Sequence, residues 1–193
     1  MKIRMLLLTA ALIAVSAQIG AAQRNGLTFT GSILMYGSGF NTRTVTRTFT
    51  LRIDRLTTDA EASDLLGVLR SGGQDDLLRA ISKNDLGSLS VGGSVARRIN
   101  AVRVDDVDGK KRVRVVFERW MNFSELRGGY RSTDYPFGYI EIVIDPRSGK
   151  GDGTYIAAAK IRFRASKEQV EIEDFGTFPG RLMNVKMTGG LKL

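Results

Sequence analysis

Apolar residues recur at every second position through much of this chain, and that spacing constrains it to sheet. In Leu27–Met35 the alternate positions Leu27, Phe29, Ile33 and Met35 are apolar. In Thr44–Ile53, Val45, Phe49, Leu51 and Ile53 fall on one side, with Arg47 the exception, and threonines and Arg52 fill the other. Successive strand side chains point to opposite faces, so this pattern predicts half-buried strands. Strands are also expected over Leu86–Val91, Ile99–Val107, Lys111–Arg119, Tyr139–Asp145, Thr154–Arg164, Val170–Phe175 and Leu182–Met187. Asp108-Gly109 suits a two-residue hairpin turn, because both residue types tolerate positive φ. In Lys111–Arg119 the spacing turns Val113, Val115 and Phe117 inward.

One segment breaks the period of two. Thr58-Asp59-Ala60-Glu61 has the form of a capping box, in which a threonine hydroxyl and a glutamate carboxylate satisfy each other's backbone amides. Ala62, Leu65, Leu66 and Leu69 then follow helical spacing. Gly72-Gly73 stops that helix, and Leu77, Leu78 and Ile81 mark a second short one. The expected fold is therefore mainly β within the α+β class. An antiparallel meander forms a barrel or two-layer sheet, with a helical hairpin inserted at about 58–83.

Composition narrows the chemistry. The chain contains neither cysteine nor histidine. Disulfides, thiol redox chemistry, Ser-His-Asp or Cys-His catalysis, and zinc sites of imidazole or thiolate are excluded. The 29 basic and 20 acidic side chains give a formal charge of +9. No block of five or six like charges occurs, so a solvated basic surface and an anionic partner both remain open. No cofactor or metal is expected.

Residues 1–22 have the order of a secretory signal. Lys2 and Arg4 precede the apolar run Met5–Val15, and Val15-Ser16-Ala17 and Gly20-Ala21-Ala22 offer cleavage sites. The run falls short of the ~20 residues a membrane span needs. The expected organisation is a signal peptide over 1–22 and a single β-rich domain over 23–193, exported to the periplasm or beyond.

Between Phe117 and Tyr139 lie Phe117, Trp120, Phe123, Tyr130, Tyr135, Phe137 and Tyr139, interleaved with Arg119, Arg127 and Arg131. Aromatic faces with guanidinium groups suit sugar rings, lipid headgroups or bases. They equally suit a plug at one end of a barrel. The candidate ligand-binding residues are Trp120, Phe123, Arg127, Tyr130, Arg131 and Tyr135. Glu118, Glu125, Asp134 and Glu141 are the acids that a carboxylate-dependent hydrolase would use. Asp105-Asp106-Val107-Asp108-Gly109 lacks the spacing and terminal glutamate of a calcium loop. Gly149-Lys150-Gly151-Asp152-Gly153-Thr154 lacks the first glycine and the residue after lysine that a phosphate loop requires.

The segments Phe117–Met121, Arg127–Ser132, Asp134–Phe137 and Gly153–Ala159 resemble exported bacterial proteins of no assigned function. The resemblance implies a bacterial, exported setting and no activity. In architecture alone the pattern is similar to lipocalin-like barrels, which does not fix a function. The reading that unites these features is a non-enzymatic binding protein for an amphipathic or anionic envelope ligand. It makes no use of nucleic acid and has no membrane span. The alternatives are a glycan hydrolase working through two carboxylates, or a structural protein with no small ligand.

Overall fold

The computed structural model describes residues 26–36, 43–121, 127–128, 130–176 and 178–189. The proposed signal segment, Phe123 and Glu125 lie outside them. The described chain folds as β1 (Leu27–Met35), β2 (Val45–Ile53), α1 (Asp59–Ile81), β3 (Gly87–Val91), β4 (Arg97–Arg98), β5 (Ala101–Val107), β6 (Lys110–Glu118), β7 (Phe137–Asp145), β8 (Lys150–Arg164), β9 (Gln169–Asp174) and β10 (Gly180–Gly189).

All the strands belong to one sheet, ordered β4-β3-β2-β1-β10-β8-β7-β6-β5, with β9 paired to β8. Every pairing is antiparallel. The sheet curls into a half-barrel. Its two ends are successive pieces of chain, since only Ile99 and Asn100 separate β4 from β5. At this corner Ile99 N–H donates to Gly87 O at 3.0 Å and Asn100 N–H to Val116 O at 3.0 Å. The chain thus leaves β3 and joins β6 within two residues.

The concave face holds the main core: Phe29, Ile33, Leu51, Ile53, Val113, Val115, Phe117, Ile140, Ile142 and Leu182 are among its members. The inward facing expected for Val113, Val115 and Phe117 is observed. The Asp108-Gly109 turn has φ of 51° and 73°, as a primed hairpin turn requires. Val45 is exposed, because β3 covers β2 only from Phe49 to Ile53.

Two expectations are refined. The turn after β7 is shorter than the sequence suggested: strand β8 begins at Lys150 and includes Gly151 and Gly153. These glycines pair with Ile144 and Ile142. A Cβ on either would strike a β7 carbonyl oxygen, so here glycine permits close strand approach rather than a loop. The helical hairpin is present as one kinked element. Its break is at Gly73, with φ 75° and ψ −163°.

Helix α1 packs on the opposite face of the sheet. Leu69, Leu77 and Ile81 meet Phe137, Tyr139, Ile156, Ala159 and Ile161 in a second core. The capping box forms: Glu61 N–H donates to Thr58 Oγ1 at 3.2 Å, and Thr58 N–H donates to Glu61 Oε2 at 2.8 Å.

Candidate functional site

The two halves of α1 span the outer face of β5–β9 without filling it. A groove of about 250 Å³ runs beneath the helix. Leu65, Leu66, Leu69, Leu77 and Ile81 form its roof, and Val116, Tyr139, Ile161, Val170 and Ile172 its floor and side. The sheet is able to supply that floor because β6 and β7 carry apolar side chains on both faces. Val116 pairs with Tyr139 on the outer side, while Val115 and Ile140 point into the main core.

Polar groups gather at one end of the groove. Thr57 takes the place of a strand residue there: its N–H donates to Val102 O and its Oγ1 accepts from Val102 N–H, both at 2.9 Å. Arg103 donates to Thr57 O at 3.1 Å and pairs with Asp59 at 2.8 Å. Arg114 pairs with Asp105. Inside, the Tyr139 hydroxyl donates to Glu141 at 2.9 Å. Burial, reinforced by that carboxylate, pushes the phenol well above its ordinary pKa. It stays protonated and a donor. The groove is therefore a largely apolar slot whose lining also includes Arg103 and Arg114.

The residues singled out from sequence are distributed over several environments. Tyr135 is buried. Its hydroxyl donates to Glu173, and its ring meets Phe175 edge-on at 5.2 Å between centroids. The hydrogen bond raises the tyrosine pKa and lowers that of Glu173. Arg131 lies near enough to act electrostatically on both. The loop carrying them is anchored by Arg119, which donates to Tyr135 O and Ser132 O at 2.9 Å each. Gln74 reaches it from α1, donating to Asp134 O at 3.0 Å. Tyr130 is exposed and packs beside Gly128, and Arg127 is exposed. Trp120 is 78% exposed, and its ring carries the Arg97 guanidinium at 5.1 Å.

Tyr135 and Arg131 thus meet around Glu173, whereas Trp120 belongs with Arg97. Of the other aromatics in the stretch, Phe117 lies in the main core, and Phe137 and Tyr139 lie beneath α1, Tyr139 also in the groove floor. The groove residues were not singled out from sequence. The available signal was the apolar content of both faces of β7. Among the described residues, no group of three acidic side chains is placed to hold a metal. No helix among them is long and apolar enough to cross a membrane. No family model matches the sequence, and neither a curated protein nor a solved structure matches the chain.

Proposed function

We propose that this chain is an exported binding protein for an amphipathic lipid, with the apolar part of the ligand in the groove under α1. The observation that carries the reading is the groove itself: leucine and isoleucine above, valine, isoleucine and tyrosine below, and Arg103 and Arg114 at one end. Burying an alkyl chain there is favourable by ~25 cal/mol per Å². The arginines lie on the outer surface, where an anionic head would stay hydrated. Support for export comes from the order of residues 1–22.

The hydrolase reading has less support. Glu118 and Glu141 share the outer face of β6 and β7, where Glu118 pairs with Phe137. Four strand steps separate their backbones, roughly 13 Å at 3.3 Å per residue, and Glu141 is engaged by the Tyr139 hydroxyl. Paired glycosidase carboxylates stand ~5–10 Å apart.

Titration with a dansylated undecanoic acid, followed by displacement with lysophosphatidylglycerol, tests the binding reading. Saturable enhancement of dansyl emission and competitive displacement are expected. Val116→Phe fills the groove floor and should weaken the probe at least tenfold, about 1.4 kcal/mol. Absence of saturable enhancement, or equal affinity in Val116→Phe, would reject it.

A further inference from the structure

The concave side of the half-barrel has its own opening, separate from the groove under α1. Residues Leu89, Val91, Phe117 and Tyr155 line a recess of about 230 Å³ there, and Ser94 and Arg97 rim it. The same two rim residues border an outer cleft of about 470 Å³ that continues to Arg98, Asn100, Glu118 and Trp120. Recess and cleft therefore meet at Arg97.

Local structure explains why arginine stands there. The β3–β4 connection turns through Gly92 and Gly93, with φ of 63° and 75°. Ser90 Oγ holds it by donating to Ser94 O at 2.7 Å. The chain then pairs Arg97 with Leu89 and Arg98 with Ser88. Leu89 is buried in the main core, so Arg97 rises from the inward-facing row and Arg98 from the outward one. The Arg97 guanidinium lies over the Trp120 ring. Such stacking occupies the face of a guanidinium and leaves its in-plane N–H donors for an oxyanion. Among the described residues, no carboxylate pairs with Arg97 or Arg98. Glu118 is the one acid in the cleft lining.

We propose that this opening binds a small organic carboxylate. The carboxylate sits on the edge of Arg97 beside Arg98, and the apolar part enters the recess between Val91, Phe117 and Tyr155. Trp120 holds the guanidinium in its stacked plane and closes the outer side. A bare inorganic anion would leave the recess unfilled, and a neutral apolar molecule would leave the guanidinium without a partner. This inference does not depend on the groove under α1.

Full-length mature protein is titrated with sodium octanoate and with sodium benzoate at constant ionic strength. Trp120 emission and heat of binding are recorded together. Saturation in both signals is expected, with at least tenfold weaker binding in Arg97→Gln and in Val91→Phe. Arg97→Lys, which keeps the charge but loses the planar donor edge, should fall between. Arg147→Gln, which removes an equal charge in the exposed β7–β8 turn away from both openings, should bind benzoate as the unaltered protein does. Circular dichroism melts establish that the variants are folded. The proposal fails if neither carboxylate saturates in either signal, or if Arg97→Gln and Val91→Phe bind like the parent. An equal response to inorganic phosphate or chloride overturns it as well, because the recess would then play no part.

Discussion

The ring of Phe117 lies directly over Gly138, its cross-strand partner on β7. A Cβ added to Gly138 would overlap that ring. Phe117 is 3% exposed and packs among Val115, Ile140 and their neighbours. An aromatic covering a strand glycine is a recognised way to shield backbone that has no side chain of its own. Phe117→Ala should cost ~3–5 kcal/mol, the usual range for a large core aromatic. Gly138→Ala should also destabilise, by overpacking, at ~1–3 kcal/mol. Because the two share one space, the double variant should be more stable than the sum of the single losses implies. Denaturant midpoints of the four proteins measure this. Strict additivity would show that the ring does not depend on the glycine.

Asn100 supports the corner between β4 and β5. It is 3% exposed. Its Nδ2 donates to Asn84 O at 2.9 Å, and its Oδ1 accepts from Glu118 N–H at 2.8 Å. Asn84 Nδ2 returns a bond to Asn100 O at 3.2 Å. Asn100→Leu would leave a backbone donor and a backbone acceptor without partners. Each such orphan costs ~1–3 kcal/mol. The expected result is a loss at the upper end of single-residue effects, with faster amide exchange at Ile99 and Glu118. A loss under ~0.5 kcal/mol, typical of surface sites, would mean that water replaces both bonds.

The strands were legible because period-two spacing and turn residues are local signals, and Leu27–Met35 and Lys111–Arg119 show this well. The capping box at Thr58 was legible for the same reason. What local pattern could not convey was pairing across the chain. Asn100 reads as an ordinary polar residue until β3 and β6 are brought to either side of it. The stretch from Phe117 to Tyr139 reads as one aromatic cluster, but alternation along β6 and β7 sends Phe117 to one core and Phe137 and Tyr139 to the other. Arg97 sits in a two-residue strand too short to produce any periodicity.

Acid should weaken the start of α1. Both carboxylate oxygens of Glu61 lie 3.0 Å from Arg55 Nη1, and Oε2 accepts from Thr58 N–H. These contacts, Arg55 first, lower its pKa from 4.5 to about 2. A carboxylate with a depressed folded-state pKa contributes stability above its unfolded value, lost as pH falls through the folded one. Wild type should therefore lose melting temperature between pH 4.5 and about 2 more steeply than Glu61→Gln. Thr58→Ala should cost ~1 kcal/mol at neutral pH by removing the cap. Parallel acid curves for wild type and Glu61→Gln would show that the capping carboxylate contributes nothing to folding.

Export predicts a specific mature terminus. Export, as proposed above, would place cleavage after Ala17 or Ala22, behind Lys2, Arg4, the apolar run to Val15 and the small residues to Ala22. Mass spectrometry of protein from the native host should therefore find Gln18 or Gln23 at the start. Recovery of an intact Met1 from the cytoplasmic fraction would remove the compartment in which an envelope ligand is met.

Two glycines of α1 should respond to alanine with opposite signs. At Gly67 a Cβ would meet nothing within 4 Å, and the residue lies in regular helix. Alanine there lowers the entropy of the unfolded chain and should stabilise by ~0.5–1 kcal/mol. At Gly73 a Cβ would also meet open space, so sterics with neighbours play no part. Its φ of 75° and ψ of −163° fall in a region that is essentially open to glycine alone. Alanine at that position should cost ~1–3 kcal/mol through the backbone. The kink also sets where Leu77 and Ile81 land against the second core. Straightening it would lift them from the roof of the groove, so Gly73→Ala should weaken the dansylated fatty acid as well as the fold, whereas Gly67→Ala should leave affinity unchanged. If Gly73→Ala lowers stability without altering probe affinity, the second half of α1 serves the fold and not the ligand.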